Sequence, residues 1–108
     1  MTLARRVAVL IAVGLALCAA GPTVTYHGTG TVLALLPPPS DLHATRPVIV
    51  IEHDPIAGLM AERMAMPFIA ASTTLFDGLH AGDRISFGLE DTPGALLVVT
   101  IERTPPPH

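Results

Sequence analysis

The amino-acid sequence predicts an all-β domain. Three observations lead there. Five short runs rich in valine, isoleucine, leucine and phenylalanine recur between residues 30 and 103, divided by proline, glycine and aspartate turn signals. With 108 residues there is room for one domain at most. No internal repeat extends the pattern. Five short strands with turns between them point to a small barrel or sandwich, and a partly open five-stranded barrel of the OB type suits both the number and the size.

The elements follow in order. Residues 1–20 read as a signal peptide that is cleaved off: Arg5 and Arg6 precede an apolar run from Val7, and small residues stand at Ala19 and Ala20. The apolar run is about 14 residues, short of the ~20 a membrane-spanning helix needs. Cys18 closes "LALC", similar to the lipobox of bacterial lipoproteins. Leu17 stands where that motif wants a small residue, so lipid anchoring is the lesser reading. Residues 21–29 read as a flexible lead-in and 30–103 as the barrel. "GTVLALL" (30–36) is the first strand, ended by Pro37 to Pro39. "PVIVIEH" (47–53) is the second, β-branched and bounded by Pro47 and Pro55. "AMPFIAAS" (65–72) is the third, with Pro67 confining it to an edge or bulge. "TLFDGLHAGD" makes a helical turn with Leu75, Phe76 and Leu79 facing inward. "DRISFGLE" (83–90) alternates Ile85, Phe87 and Leu89 with polar or small residues. "ALLVVTIE" (95–102) follows a turn at "DTPG", and residues 104–108 form a proline-rich tail.

Charge and cysteine usage exclude several functions. Removing residues 1–20 leaves four basic residues against nine acidic ones, a formal charge of −5, with no lysine in the chain. Nucleic-acid binding is largely cation-driven, so such a domain is a poor partner for phosphate backbones. An anionic membrane surface is disfavoured for the same reason. Cleavage after Ala20 also removes Cys18, the one cysteine, so no disulfide framework staples the small core.

The chemistry gathers in "EHDPIAGLMAERMAMPF" (52–68). Apart from Met1, every methionine of the chain lies here: Met60, Met64 and Met66. Thioether sulfur is soft and uncharged; it suits Cu(I), and by the same argument Ag(I), rather than hard cations or zinc. Imidazole suits copper as well. Met64 and Met66 are two apart, so on a strand both leave the same face. A hairpin from His53 to Met64 would bring the ring beside the sulfurs. In an oxidising compartment cysteine ligands are lost to disulfides, whereas methionine forms none. Against this stands the plainer reading of methionine as filler for irregular core gaps, which the spacing alone leaves open.

The segment "IVIEHDPIAGLMAERMAMPF" resembles the one that defines the CusF-type periplasmic copper- and silver-binding domains. In both, a strand ends in a histidine followed by "DPI", and a Met-x-Met pair lies eleven and thirteen residues beyond that histidine, here Met64 and Met66. "LHAGDRISF" (79–87) is similar to the family's later Gly-Asp turn. The resemblance covers roughly residues 30–103. It implies a five-stranded OB-type barrel that binds one Cu(I) or Ag(I), with His53, Met64 and Met66 as ligands. It also implies a monomer in the periplasm that serves a metal-efflux adaptor or another copper protein. One departure stands out. The family's best-known members carry a tryptophan three residues before the first paired methionine, where it caps the metal through a cation–π contact. Here that position is Ala61, and the chain has no tryptophan. Met60, next door, is the candidate replacement donor, and core filler is its rival role.

Other candidates are weaker. Glu52 and Asp54 flank His53, but no nucleophile, second histidine or second carboxylate stands at a telling spacing, so no catalytic constellation is found. Asp54 could orient the His53 ring as an acceptor if the chain turns at 54–55. His27, His43, His80 and His108 read as surface residues, and Gly28 and Gly30 make no nucleotide loop. The alternative function is a barrel of the same fold that binds no metal and serves as a protein-interaction module.

Overall fold

The computed structural model describes residues 23–105. The expected signal peptide with Cys18, and His108 in the tail, lie outside the described residues. Five strands form: β1 (Tyr26–Leu36), β2 (Val48–His53), β3 (Met64–Ala70), β4 (Arg84–Asp91) and β5 (Leu96–Arg103), with a 3₁₀ turn at Thr73–Phe76. They close into a barrel in the order β1-β2-β3-β5-β4. All neighbours are antiparallel except β3 and β5, which run parallel and meet only through Ile69–Leu97 and Ala70–Val98.

β1 begins at Tyr26, so residues 26–29, read from sequence as flexible lead-in, are strand. The glycines misled that reading. A Cβ on Gly28 would stand 2.6 Å from the Phe87 ring, and one on Gly30 would stand 2.6 Å from the Glu52 carbonyl oxygen. Glycine here marks a close approach of backbone rather than a loop. Gly30 pairs with His53 on one side and Ile85 on the other. The long strand bends at an irregularity between Val32 and Ala34, which turns Leu33 outward.

Pro67 sits where β3 tolerates it. The Ala70 amide donates to the Pro47 carbonyl on the β2 side, whereas the Ala71 amide donates to Val98 on the β5 side. By alternation, position 67 directs its nitrogen away from β2, and β5 has not yet joined there. The missing N–H therefore breaks no ladder bond.

The interior is filled by Val32, Ile49, Ile51, Phe68, Ile85, Phe87, Leu89 and Val98, with Ile56 sealing it from the β2–β3 loop. Each such side chain adds about 1.5–3 kcal/mol on burial. The expected helical turn shrinks to four residues, its first turn capped by the Ser72 hydroxyl. Leu75, Phe76 and Leu79 do pack against the core from there.

Candidate metal centre

The β2–β3 hairpin sets the site. Its register places His53 opposite Met64, Ile51 opposite Met66 and Ile49 opposite Phe68. Strand alternation puts all six side chains on the face that lines the barrel. Along that face burial falls from core to rim. Phe68 is buried, Met66 is half-buried and Met64 is 49% exposed. Directly opposed side chains on an antiparallel pair stand with Cβ atoms about 4.5–5.5 Å apart, and diagonal ones about 7–8 Å. His53 is thus within reach of both thioethers, and neither sulfur-bearing chain is sealed in the interior.

His53 is the buried polar residue of the barrel, with no exposed surface. Its Nδ1 lies 2.9 Å from the Asp54 carbonyl oxygen. A carbonyl only accepts, so Nδ1 carries the proton and Nε2 keeps its lone pair. Nε2 is buried and has no hydrogen-bond partner among the described residues. Leaving such an atom unmet costs about 1–3 kcal/mol, and native structures rarely do so without an ion, a water or a function to explain it. The ring packs edge-on against Phe68 at 5.8 Å, and Phe68 leans on Phe87 at the same distance. The ring is thus braced by Phe68 and the Asp54 carbonyl, on the strand face that also carries Met64 and Met66.

Asp54 does orient the ring, but with its main-chain oxygen and not its carboxylate. The carboxylate is engaged elsewhere. Its Oδ2 accepts from the Thr29 hydroxyl at 2.8 Å and from Arg84 Nη2 at 2.8 Å, and its Oδ1 meets Arg63 Nη2 at 3.0 Å. The Arg84 hydrogen bond first, and the Thr29 one next, hold the Asp54 carboxyl below the ordinary carboxylate value, while desolvation pulls the other way. Sequence reasoning did not single out Thr29, Arg63 or Arg84. Arg63 carried a signal, since it and Asp54 straddle one hairpin loop with opposite charges. Thr29 and Arg84 come from distant strands and carried none.

Met60 lies in the 54–63 loop, where Ile56 and Met60 exchange amide–carbonyl hydrogen bonds of 2.8 and 2.9 Å. It is half-buried and packs against the core cluster. Ala61 beside it is exposed. Glu52 points outward opposite Ala65. His27 and His80 are exposed, and His43 Nδ1 accepts the amides of Thr45 and Arg46 in its own loop. Among the described residues no three histidine, cysteine or acidic side chains gather as a metal cluster.

A family model described as copper binding periplasmic protein CusF matches residues 25–103. The chain belongs to the CusF family. The structure of apo-CusF residues 6–88 from Escherichia coli is similar at 28% identity, covering 80% of this chain and 93% of that one, with a TM-score of 0.57. CusF–Ag(I) residues 10–88 from Escherichia coli is 28% identical over 81% of this chain and 99% of that one, with a TM-score of 0.56. The C-terminal domain of SilB from Cupriavidus metallidurans is 26% identical over 72% and 85%, with a TM-score of 0.54. No curated protein matches the chain. CusF membership confirms the five-stranded barrel and the copper-handling class that the His53 motif implied.

Proposed function

We propose that this protein binds one Cu(I) or Ag(I) per chain through His53 Nε2 and the sulfurs of Met64 and Met66. Met60 is the candidate fourth donor in place of the absent tryptophan. The ion is cargo, carried or buffered in the periplasm and passed to a metal-efflux adaptor or another copper protein. The observation that carries this reading is the buried Nε2 of His53, without a hydrogen-bond partner among the described residues and on the same inner face as Met64 and Met66. The donor set is uncharged and soft, which favours a monovalent d10 ion over zinc or hard cations. A relative of the same family has been solved with Ag(I) bound. Met64 at the rim is the ligand that solvent and a partner reach first. A partner's own sulfur can replace it while His53 and Met66 still hold the ion.

The test is an anaerobic titration against a Cu(I)-selective chromophoric chelator. The protein should resist the competitor, and Met64→Ala/Met66→Ala should lose that resistance by at least about 100-fold, two lost ligands each costing more than the 10–100-fold of an outer partner. Equal, weak binding by both would favour the interaction-module reading. A count of sulfur neighbours by X-ray absorption decides Met60: three sulfurs include it, two leave it as core filler.

A further inference from the structure

We infer that Asp54 is the positioning residue of the metal site, acting through His53 and not by touching the ion. The inference rests on His53, Met64 and Met66 being the ligands. All the polar groups of Asp54 are engaged. Its amide donates to the Thr29 carbonyl at 2.9 Å, and its carbonyl accepts from His53 Nδ1 at 2.9 Å. Its carboxylate gathers the Thr29 hydroxyl, Arg84 and Arg63. The carbonyl is the hydrogen-bond partner that decides which ring nitrogen keeps the lone pair, so the placement of this one peptide unit sets the donor. The carboxylate fixes that placement from three sides: Thr29 on β1, Arg84 on β4, and Arg63 on the residue just before Met64. The Arg63–Asp54 pair closes the neck of the 54–63 loop where His53 faces Met64, so one side chain ties both ends of the ligand loop to the barrel wall.

A purely stabilising role fits less well. The Arg63 and Arg84 side chains are 66% and 49% exposed, and ion pairs that open to water add little to folding. Convergence of three donors on one carboxylate instead fixes position. Without it the Asp54 carbonyl is free to turn, the ring gains a second tautomer, and the lone pair no longer stays at Nε2.

The experiment compares the protein with Asp54→Ala and with Thr29→Val/Arg84→Gln, which leaves Asp54 intact but removes two of its partners. Three readouts are taken: Cu(I) affinity by anaerobic competition, the His53 ring tautomer by nitrogen NMR of the metal-free protein, and the thermal midpoint. Affinity should fall about 10–100-fold in both variants, as for other groups that orient a ligand. The tautomer signal should turn from a single Nδ1–H form to a mixture, and Asp54→Asn, which keeps an acceptor oxygen, should recover part of both. A folded variant with unchanged affinity and a single Nδ1–H tautomer overturns the inference. Should Asp54→Ala fail to fold, the double variant decides alone. Failure of the unaltered protein to bind Cu(I) would instead sink the ligand assignment, and the tautomer readout would still judge Asp54.

Discussion

His53 carries a conflict at the scale of one residue. Burying Nε2 without a partner opposes folding, and an apolar side chain of similar volume would remove that opposition. His53→Leu should therefore abolish Cu(I) binding yet stabilise the metal-free protein by about 1 kcal/mol, the unmet nitrogen outweighing the lost bond to Asp54. Melting curves should show a rise of several degrees; a fall would mean that Nε2 is satisfied in solution. Asp54 has its own signature in acid. Its folded-state carboxyl is held below the ordinary value of 3.8, so the ionised form favours folding. That contribution is complete above the ordinary value and vanishes as pH drops through the lowered, folded one. The gap between melts of the protein and of Asp54→Asn should therefore be constant above the ordinary carboxylate value and narrow as the pH falls below it. At this scale the candidate site was legible, because identity and spacing of His53, Met64 and Met66 are local properties of one segment, and the hairpin register sets the three on one face. The partners of the Asp54 carboxylate were not, since Thr29 and Arg84 meet it across 25 and 30 residues of chain.

At the scale of elements, β1 does the most to place the hairpin. It pairs with β4 through its first half and with β2 through its second, and Gly30 belongs to both ladders. A Cβ at Gly30 would meet the Glu52 carbonyl oxygen, the Ile51 side chain and the His53 Cα, all within 2.9 Å. Two of these are backbone atoms, which yield less than a flexible side chain. Gly30→Ala should cost about 1–3 kcal/mol, read as a lower denaturant midpoint at an unchanged slope, and should weaken metal binding by displacing His53. Runs of β-branched residues between prolines located four of the five strands to within a residue or two. The start of β1 escaped because glycine signals loops in most contexts and crossings in barrels. Hydrophobic patterning likewise said nothing of the parallel β3–β5 contact, which is a property of closure and not of either strand.

The whole molecule holds a small core around which everything else is a thin wall, and no disulfide reinforces the described residues. A ligand that binds only the folded form adds RT ln(1 + [L]/Kd), about 2.7 kcal/mol at a hundredfold excess over Kd. Ag(I), which avoids the redox chemistry of copper, should therefore raise the thermal midpoint markedly in the protein and not at all in Met64→Ala/Met66→Ala. An equal rise in both would place the ion elsewhere. Fold class followed from the number of strands and the chain length. The partly open barrel expected from sequence is in fact closed, though only by a two-residue seam.

That seam has a consequence for how molecules meet one another. Ahead of Ile69, β3 offers a bare margin beside an exposed thioether, the sort of strip onto which a second extended chain could zip. Pro67 interrupts the row of donors along that strip and keeps a stray strand from propagating past it. The protein can thus leave Met64 uncovered at the barrel rim without turning its own flank into a seed for fibres.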